Sequence, residues 1–233
     1  MEMRIETDSI GSRQVPADAY YGVQSLRGAE NFRITGQFLR PEFIESLAMI
    51  KKACAICNHA VGELDDARRN AIVTACDEIL QGHLHNQFLC DPIQGGAGTT
   101  ANMNANEVIA NRAIELLGGE KGDYSVVHPN DHVNRAQSTN DVIPTAAKLT
   151  AAKLLKKAIC QVVRLRDALQ AKEAEFHDII KMGRTQMQDA VPIRLGAEFG
   201  AYSQAIIRDI HAWSAPWRRC TTSTWAVRPS VQR

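Results

Sequence analysis

Gln137-Ser138-Thr139-Asn140-Asp141 follows His128-Pro129-Asn130-Asp131-His132-Val133-Asn134 and runs through Pro144 into the longest helical pattern of the chain. Almost every side chain in this stretch can donate or accept a hydrogen bond, yet it carries few net charges. Short hydroxyls and amides just ahead of a helix favour capping, and they leave backbone N–H groups for an anion. Two other stretches have the same character: Gly95-Gly96-Ala97-Gly98-Thr99-Thr100 and Gly183-Arg184-Thr185-Gln186-Met187-Gln188-Asp189. Each leads toward a helix, and together they read as a site for a small carboxylate ligand.

Beyond Pro144, Leu155, Ile159, Val162, Leu165 and Leu169 fall on one helical face with lysines and arginines between them, the seam of a helix packing into a bundle. Gly183 interrupts the pattern, and Pro192-Ile193 reads as the opening of a further helix through Ile207. Upstream, Pro41 suits a first helical position, and Ile44, Leu47, Ile50, Cys54, Cys57 and Val61 form an apolar stripe at helical spacing. Asp65 or Asp66 caps a second helix ending near Gly82. A polar connection leads to a third, Met103 to Leu117, stopped by Gly118-Gly119. Residues 3–40 show no sustained period and read as an extended or irregular arm. In it, Arg27 has two readings, a solvated charge and a carboxylate clamp. Strands have almost no support. The expected fold is mainly α: an N-terminal helical domain over 1–140, the first part of a central helical bundle over 141–210, and an aberrant tail over 211–233.

The chain has 233 residues and a formal charge of +1, so no basic excess exists to drive binding to nucleic acid or a membrane surface. No apolar run is long enough to span a bilayer and the N-terminus lacks a signal-peptide core, so a cytoplasmic protein is expected. The Cys54-x-x-Cys57 pair has no second pair and no histidine at metal spacing. Cys54, Cys57 and Cys76 are therefore expected to be core thiols.

The Gly95–Thr100 loop could cradle an anion, but no Gly-Lys-Ser/Thr follows, so it is not a P-loop. His128 and His132 sit four apart, yet Pro129 argues against a shared helix face, which favours structural hydrogen bonding or an anion contact over a metal pair. Thr185 and Gln186 could donate to a carboxylate, with Arg184 pairing Asp189 or a helix terminus.

All three tryptophans lie at 213, 217 and 225, in a segment rich in Trp, Ser, Thr, Arg and Pro that shows no helical stripe. It follows a helix that has no stop signal. Read two bases later, Ala212-Trp213, Pro216-Trp217, Arg219-Cys220 and Thr224-Trp225 each become Leu, Met or Val, and apolar positions return at spacings of four and three. The segment His211–Arg233 thus reads as out of frame.

Gly98-Thr99-Thr100-Ala101-Asn102-Met103-Asn104-Ala105-Asn106-Glu107-Val108, the His128–Asn134 and Gln137–Asp141 segments, and Gly183-Arg184-Thr185-Gln186 with Gln188-Asp189-Ala190-Val191-Pro192 together resemble the aspartase/fumarase superfamily. The similarity covers residues 3 to about 210. Tyr20-Tyr21-Gly22-Val23, Leu26-Arg27 and Gln186 resemble its aspartase branch more than class II fumarases. The resemblance implies reversible elimination of ammonia from L-aspartate to fumarate, with no cofactor, in a homotetramer whose sites are each assembled from three subunits. It also implies that Thr99, Ser138, Thr139, Asn140, Thr185 and Gln186 hold the substrate, and that His128, Asn130 and Asp131 match a secondary anion site. The family's catalytic serine lies on a Gly-Ser-Ser-x-Met-Pro-x-Lys-x-Asn loop, which this sequence does not contain. The chain by itself is therefore expected to be inactive. The alternatives are a class II fumarate hydratase and a non-catalytic helical fragment of such a lyase.

Overall fold

The structure, a computed structural model, describes residues 2–220. It is mainly α: β1 (Met3–Thr7), β2 (Ser12–Pro16), α1 (Val23–Asn31), α2 (Pro41–Ala60), α3 (Asp66–Leu80), α4 (Thr99–Leu116), α5 (Thr139–Glu175), β3 (Ile180–Thr185), β4 (Gln188–Arg194) and α6 (Leu195–Cys220). A short 3-10 turn covers His85–Gln87 and a π-helical turn covers Pro129–Val133. The chain divides into two compact units, and the division falls between Thr150 and Ala151, inside α5.

The centre of the first unit is α4, in which every residue from Ala101 to Asn111 is buried. Around it α2 lies against α3, α3 against α4, and α1 against α4. The core joins Ile44 and Leu47 of α2, Ile72 and Ile79 of α3, and Val108, Ile109 and Ile114 of α4. A helix buried on all sides must satisfy its polar side chains with protein partners. Asn104 accepts from Leu89 N–H at 3.1 Å and donates to the Gln87 carbonyl at 3.0 Å. Asn111 donates to the Tyr20 carbonyl at 2.9 Å and accepts from Gly122 N–H at 2.7 Å.

Glu107 does more. Its carboxylate accepts the N–H groups of Gly22 (2.9 Å), Gln24 (3.0 Å) and Ser25 (3.0 Å), and the Ser25 hydroxyl at 2.5 Å. Glu6 takes the Val23 N–H at 2.9 Å. Two distant carboxylates therefore cap α1, whose own N-cap, Gly22, has no side chain to offer. A Cβ on Gly22 would lie 2.5 Å from the Tyr124 hydroxyl and 2.6 Å from Glu6 Oε2, so the cap closes only around glycine. Burial pushes the Glu107 pKa up, against the pull of the donors from Ser25 and Gln24.

The arm over 3–40 is thus more ordered than its lack of period implies. It holds the β1–β2 hairpin, in register from Met3↔Pro16 to Thr7↔Ser12, and α1. Arg27 bonds the Asp8 carboxylate at 3.0 Å and the Gly11 carbonyl at 2.8 Å, so it is neither a solvated charge nor a clamp for a ligand.

Pro41 opens α2, and Asp65 caps α3 by accepting the Arg68 N–H at 2.8 Å, as their positions in the sequence predict. The cysteine stripe holds only in part. Ile44, Leu47 and Ile50 are buried, but Cys57 and Val61 are exposed. The buried line continues instead through Lys51, Ala55 and Asn58, steps of three and four from Leu47 and Ala48. Cys76 is buried beside Ile72 and Ile79, and burial pushes its thiol up to about 12.

In the second unit α5 is followed by the β3–β4 hairpin and α6. Pro192 and Ile193 do not open a helix: they sit in β4, opposite Met182 and Lys181, and α6 begins at Leu195. The α5 end and the α6 start meet closely. Phe176 and Phe199 pack with tilted rings, their centroids 5.4 Å apart, and a Cβ on Gly196 would lie 2.5 Å from the Glu173 carbonyl. With no stop signal near 207, α6 continues to Cys220, so helix extends past residue 211 where the apolar stripe is lost. The rest of the tail, 221–233, lies outside the described residues. Among the described residues no helix is long and apolar enough to cross a membrane.

Candidate carboxylate site

Four of the substrate-binding residues expected from sequence come together where the N-termini of α4 and α5 abut. Gly98 precedes α4 with φ +83°, and the place its Cβ would take is 3.0 Å from Ile143 Cγ2 on the first turns of α5. Asn102, one turn into α4, donates to Thr139 Oγ1 at 3.3 Å. Thr99 begins α4 and is exposed; Thr139 begins α5 and is half-buried, and Asn140 beside it is exposed.

The first N–H groups of a helix have no intrahelical partner. At α4 the Ala101 N–H is taken by Gln94 Oε1 at 2.7 Å. At α5 the Ser138 carbonyl accepts the N–H groups of Asp141 and Val142, both at 3.0 Å, and its hydroxyl accepts that of Asn140 at 3.3 Å. Ser138 is therefore a helix cap. Two helix N-termini with Thr99, Thr139 and Asn140 around them form a donor-rich surface of positive potential, suited to an anion.

The stretch ahead of α5 is fixed by a polar cluster. Asn134 Nδ2 donates to the Gln137 carbonyl at 3.3 Å, and Gln137 Nε2 donates to the Val133 carbonyl at 2.9 Å. Ala136 between them has φ +57°. Into this turn reaches Lys51 of α2, 0 % exposed, whose ammonium donates to Asn134 Oδ1 at 2.7 Å and Gln137 Oε1 at 2.9 Å. Burial lowers its pKa to about 7. Sequence reasoning missed Lys51 because a lysine on a helix reads as solvated. The signal was its place on the line Ile44, Leu47, Lys51, Ala55, Asn58.

The histidines are occupied by the backbone. His128 Nδ1 accepts the N–H groups of Asn130 (3.2 Å) and Asp131 (3.1 Å), and His132 Nδ1 accepts that of His128 at 2.8 Å. The Asp131 carboxylate lies 3.3 Å from the same His128 ring nitrogen. Burial, then the nearby Arg68, lowers the His132 pKa. A cavity of about 270 Å³ lies between His128, Pro129, Asn130 and Gln24, Glu107, Tyr124; another, about 370 Å³, is lined by Asn130, Asp131, Asn134 and Gln137. Neither includes Thr99 or Ser138–Asn140.

Thr185 and Gln186 belong to the second unit. Both are exposed, at the tip of the β3–β4 hairpin, where Gln186 (φ +50°) and Met187 (φ +61°) form a two-residue turn and Arg184 pairs Asp189 at 3.1 Å. Two adjacent non-glycine residues at positive φ are a strained pair.

The helices build around a buried, asparagine-rich α4 with polar loops at the helix N-termini, and residues 11–219 match the model of the lyase family, to which the chain belongs. Its relatives are more specific. It is 54% identical to aspartate ammonia-lyase of Bacillus subtilis over 209 residues and 51% to that of Helicobacter pylori over 210, covering 90% and 89% of this chain. The aspartate ammonia-lyase of Escherichia coli K12 is 50% identical over 204 residues, 86% of this chain. The chain spans less than half the length of these relatives, 43–45%. Among solved structures, a fumarate lyase:delta crystallin from Brucella melitensis matches with TM-score 0.91 at 46% identity, covering 96% of this chain and 53% of that one. A class II fumarase from Schistosoma mansoni matches with TM-score 0.88 at 37% identity, covering 95% of this chain and 47% of that one.

Proposed function

We propose that this chain carries part of the substrate site of an aspartate ammonia-lyase, which converts L-aspartate reversibly to fumarate and ammonia. The observation that carries the reading is the meeting of the α4 and α5 N-termini at Gly98–Ile143 and Asn102–Thr139. The names of the 50–54% identical relatives supply the substrate.

The chemistry suits such a surface. Elimination breaks the C3–H and C2–N bonds, and removing the C3 proton beside a carboxylate builds up a doubly charged aci-carboxylate. Preorganised hydroxyl, amide and helix N-terminal donors stabilise that charge where it develops. In this reading Thr99, Thr139 and Asn140 donate to the carboxylate, and Ser138 holds the α5 N-terminus in place. Thr185 and Gln186 form a further donor set at the hairpin tip, and His128, Asn130 and Asp131 a secondary anion site. The base would be a serine of the family's flexible loop, which residues 1–233 do not contain. The assembled protein is proposed to be a cytoplasmic homotetramer.

The test uses the purified chain. Titration with succinate, followed by amide NMR, is expected to move Thr99 and Ser138–Asn140 saturably, with acetate much weaker. No ammonia is expected from aspartate. Absence of saturable dicarboxylate binding would overturn the site assignment, and ammonia release would overturn the assignment of the base outside this chain.

A further inference from the structure

The side chain that sets the hydrogen-bonding sense of Thr139 lies outside the ligand-contacting residues. An ammonium can only donate, so the Lys51 contact at 2.7 Å fixes the facing atom of Asn134 as its oxygen. That same Asn134 Oδ1 is 3.2 Å from Asn102, which must therefore present its NH₂. The second hydrogen of that NH₂ points to Thr139 Oγ1 at 3.3 Å. Thr139 is thus an acceptor toward the interior, and its own hydrogen is left to be donated elsewhere.

The arrangement is held at a cost. Asn102 Oδ1 is buried without a hydrogen-bond partner, which would not persist if the amide could turn over freely. Lys51 itself has two neutral amides as acceptors, and the titratable groups that act on it are the thiols of Cys54 on its own helix and Cys76 on α3. Both thiols are kept neutral by burial. Its pKa near 7 means the polarity is strictest below neutral pH, where the nitrogen has no lone pair to offer.

We propose that Lys51 is a positioning residue: through Asn134 and Asn102 it orients Thr139 as a hydrogen-bond donor to the ligand carboxylate. The final step, donation to a carboxylate, rests on the function proposed above; the chain from Lys51 to Thr139 does not.

The experiment is a double-mutant cycle on the 233-residue chain below neutral pH. Lys51→Met is expected to weaken succinate binding about tenfold, the loss of one well-aligned hydrogen bond to a charged group, and to have almost no effect in a Thr139→Ala background. A role in general folding or long-range attraction would give the same loss in both backgrounds, and that result, or no loss at all, would overturn the inference. Should Lys51→Met fail to fold, the cycle is run with Asn102→Ala, which leaves the lysine in place and is expected to give the same pattern. Side-chain resonances provide a readout independent of ligand. In whichever of the two lysine-arm variants folds, Thr139 is expected to pass from one χ1 rotamer to an average. In Lys51→Met the Asn102 amide pair shifts as well. If the wild-type chain binds no succinate, the carboxylate reading fails, and unchanged resonances then overturn the inference on their own.

Discussion

Gly98 and Ile143 touch across the junction of two helix N-termini, with only 3.0 Å between the Ile143 methyl and the place a Gly98 Cβ would fill. Gly98 also has φ +83°. Gly98→Ala therefore strains the backbone and wedges the junction open. The expected loss is about 1–3 kcal/mol of stability, measured by urea unfolding, with a larger fall in succinate affinity than stability alone explains. Unchanged affinity in the folded variant would show that the junction is not the binding surface.

Glu107 offers acceptors to four donors around the start of α1. Glu107→Gln replaces one oxygen with an NH₂ that faces N–H groups. A destabilisation of about 2–4 kcal/mol is expected. Hydrogen exchange should localise it to residues 22–31, and uniform loss of protection across the chain would contradict the local cap.

Lys51 makes stability depend on pH. Its pKa falls from 10.5 to about 7 on folding, so between those values the unfolded chain binds a proton that the folded chain does not. Stability then rises with pH, on the order of a few kcal/mol over the full window. Above about 9 the sign reverses, because the thiols of Cys54, Cys76 and Cys90, raised by burial to about 11, 12 and 12, stay protonated only when folded. Chemical denaturation is expected to show a rise from pH 7 to 9 that Lys51→Met abolishes.

Met187 at φ +61° closes a hairpin in a conformation that glycine adopts without strain. Met187→Gly is expected to stabilise the second unit by about 1 kcal/mol. A lower melting temperature would show that the positive φ at Met187 is not a source of strain in the hairpin.

Helices that carry their own punctuation were legible: Pro41 opens α2 and Asp65 caps α3. Where the determinant is distant, local reading fails. Gly22 gives no sign of α1 because its cap is Glu107, and Gln186-Met187 hides a hairpin because neither residue is a usual positive-φ former. At the site, residue type ahead of helices picked out the Gly95–Thr100 and Gln137–Asp141 stretches, and the family resemblance singled out Thr99, Ser138, Thr139 and Asn140 within them. Their meeting through Asn102 depends on tertiary structure that no spacing encodes.

Synthesis imposes an order on the Glu107 cap. Gly22 and Ser25 leave the ribosome more than eighty residues ahead of Glu107, a delay on the order of 4–16 s at ordinary translation rates. Until then Glu6 alone is available to steady the start of α1. The N-terminal arm must wait as a loose tether, open to proteases and chaperones, and the cap can close only after α4 has been made.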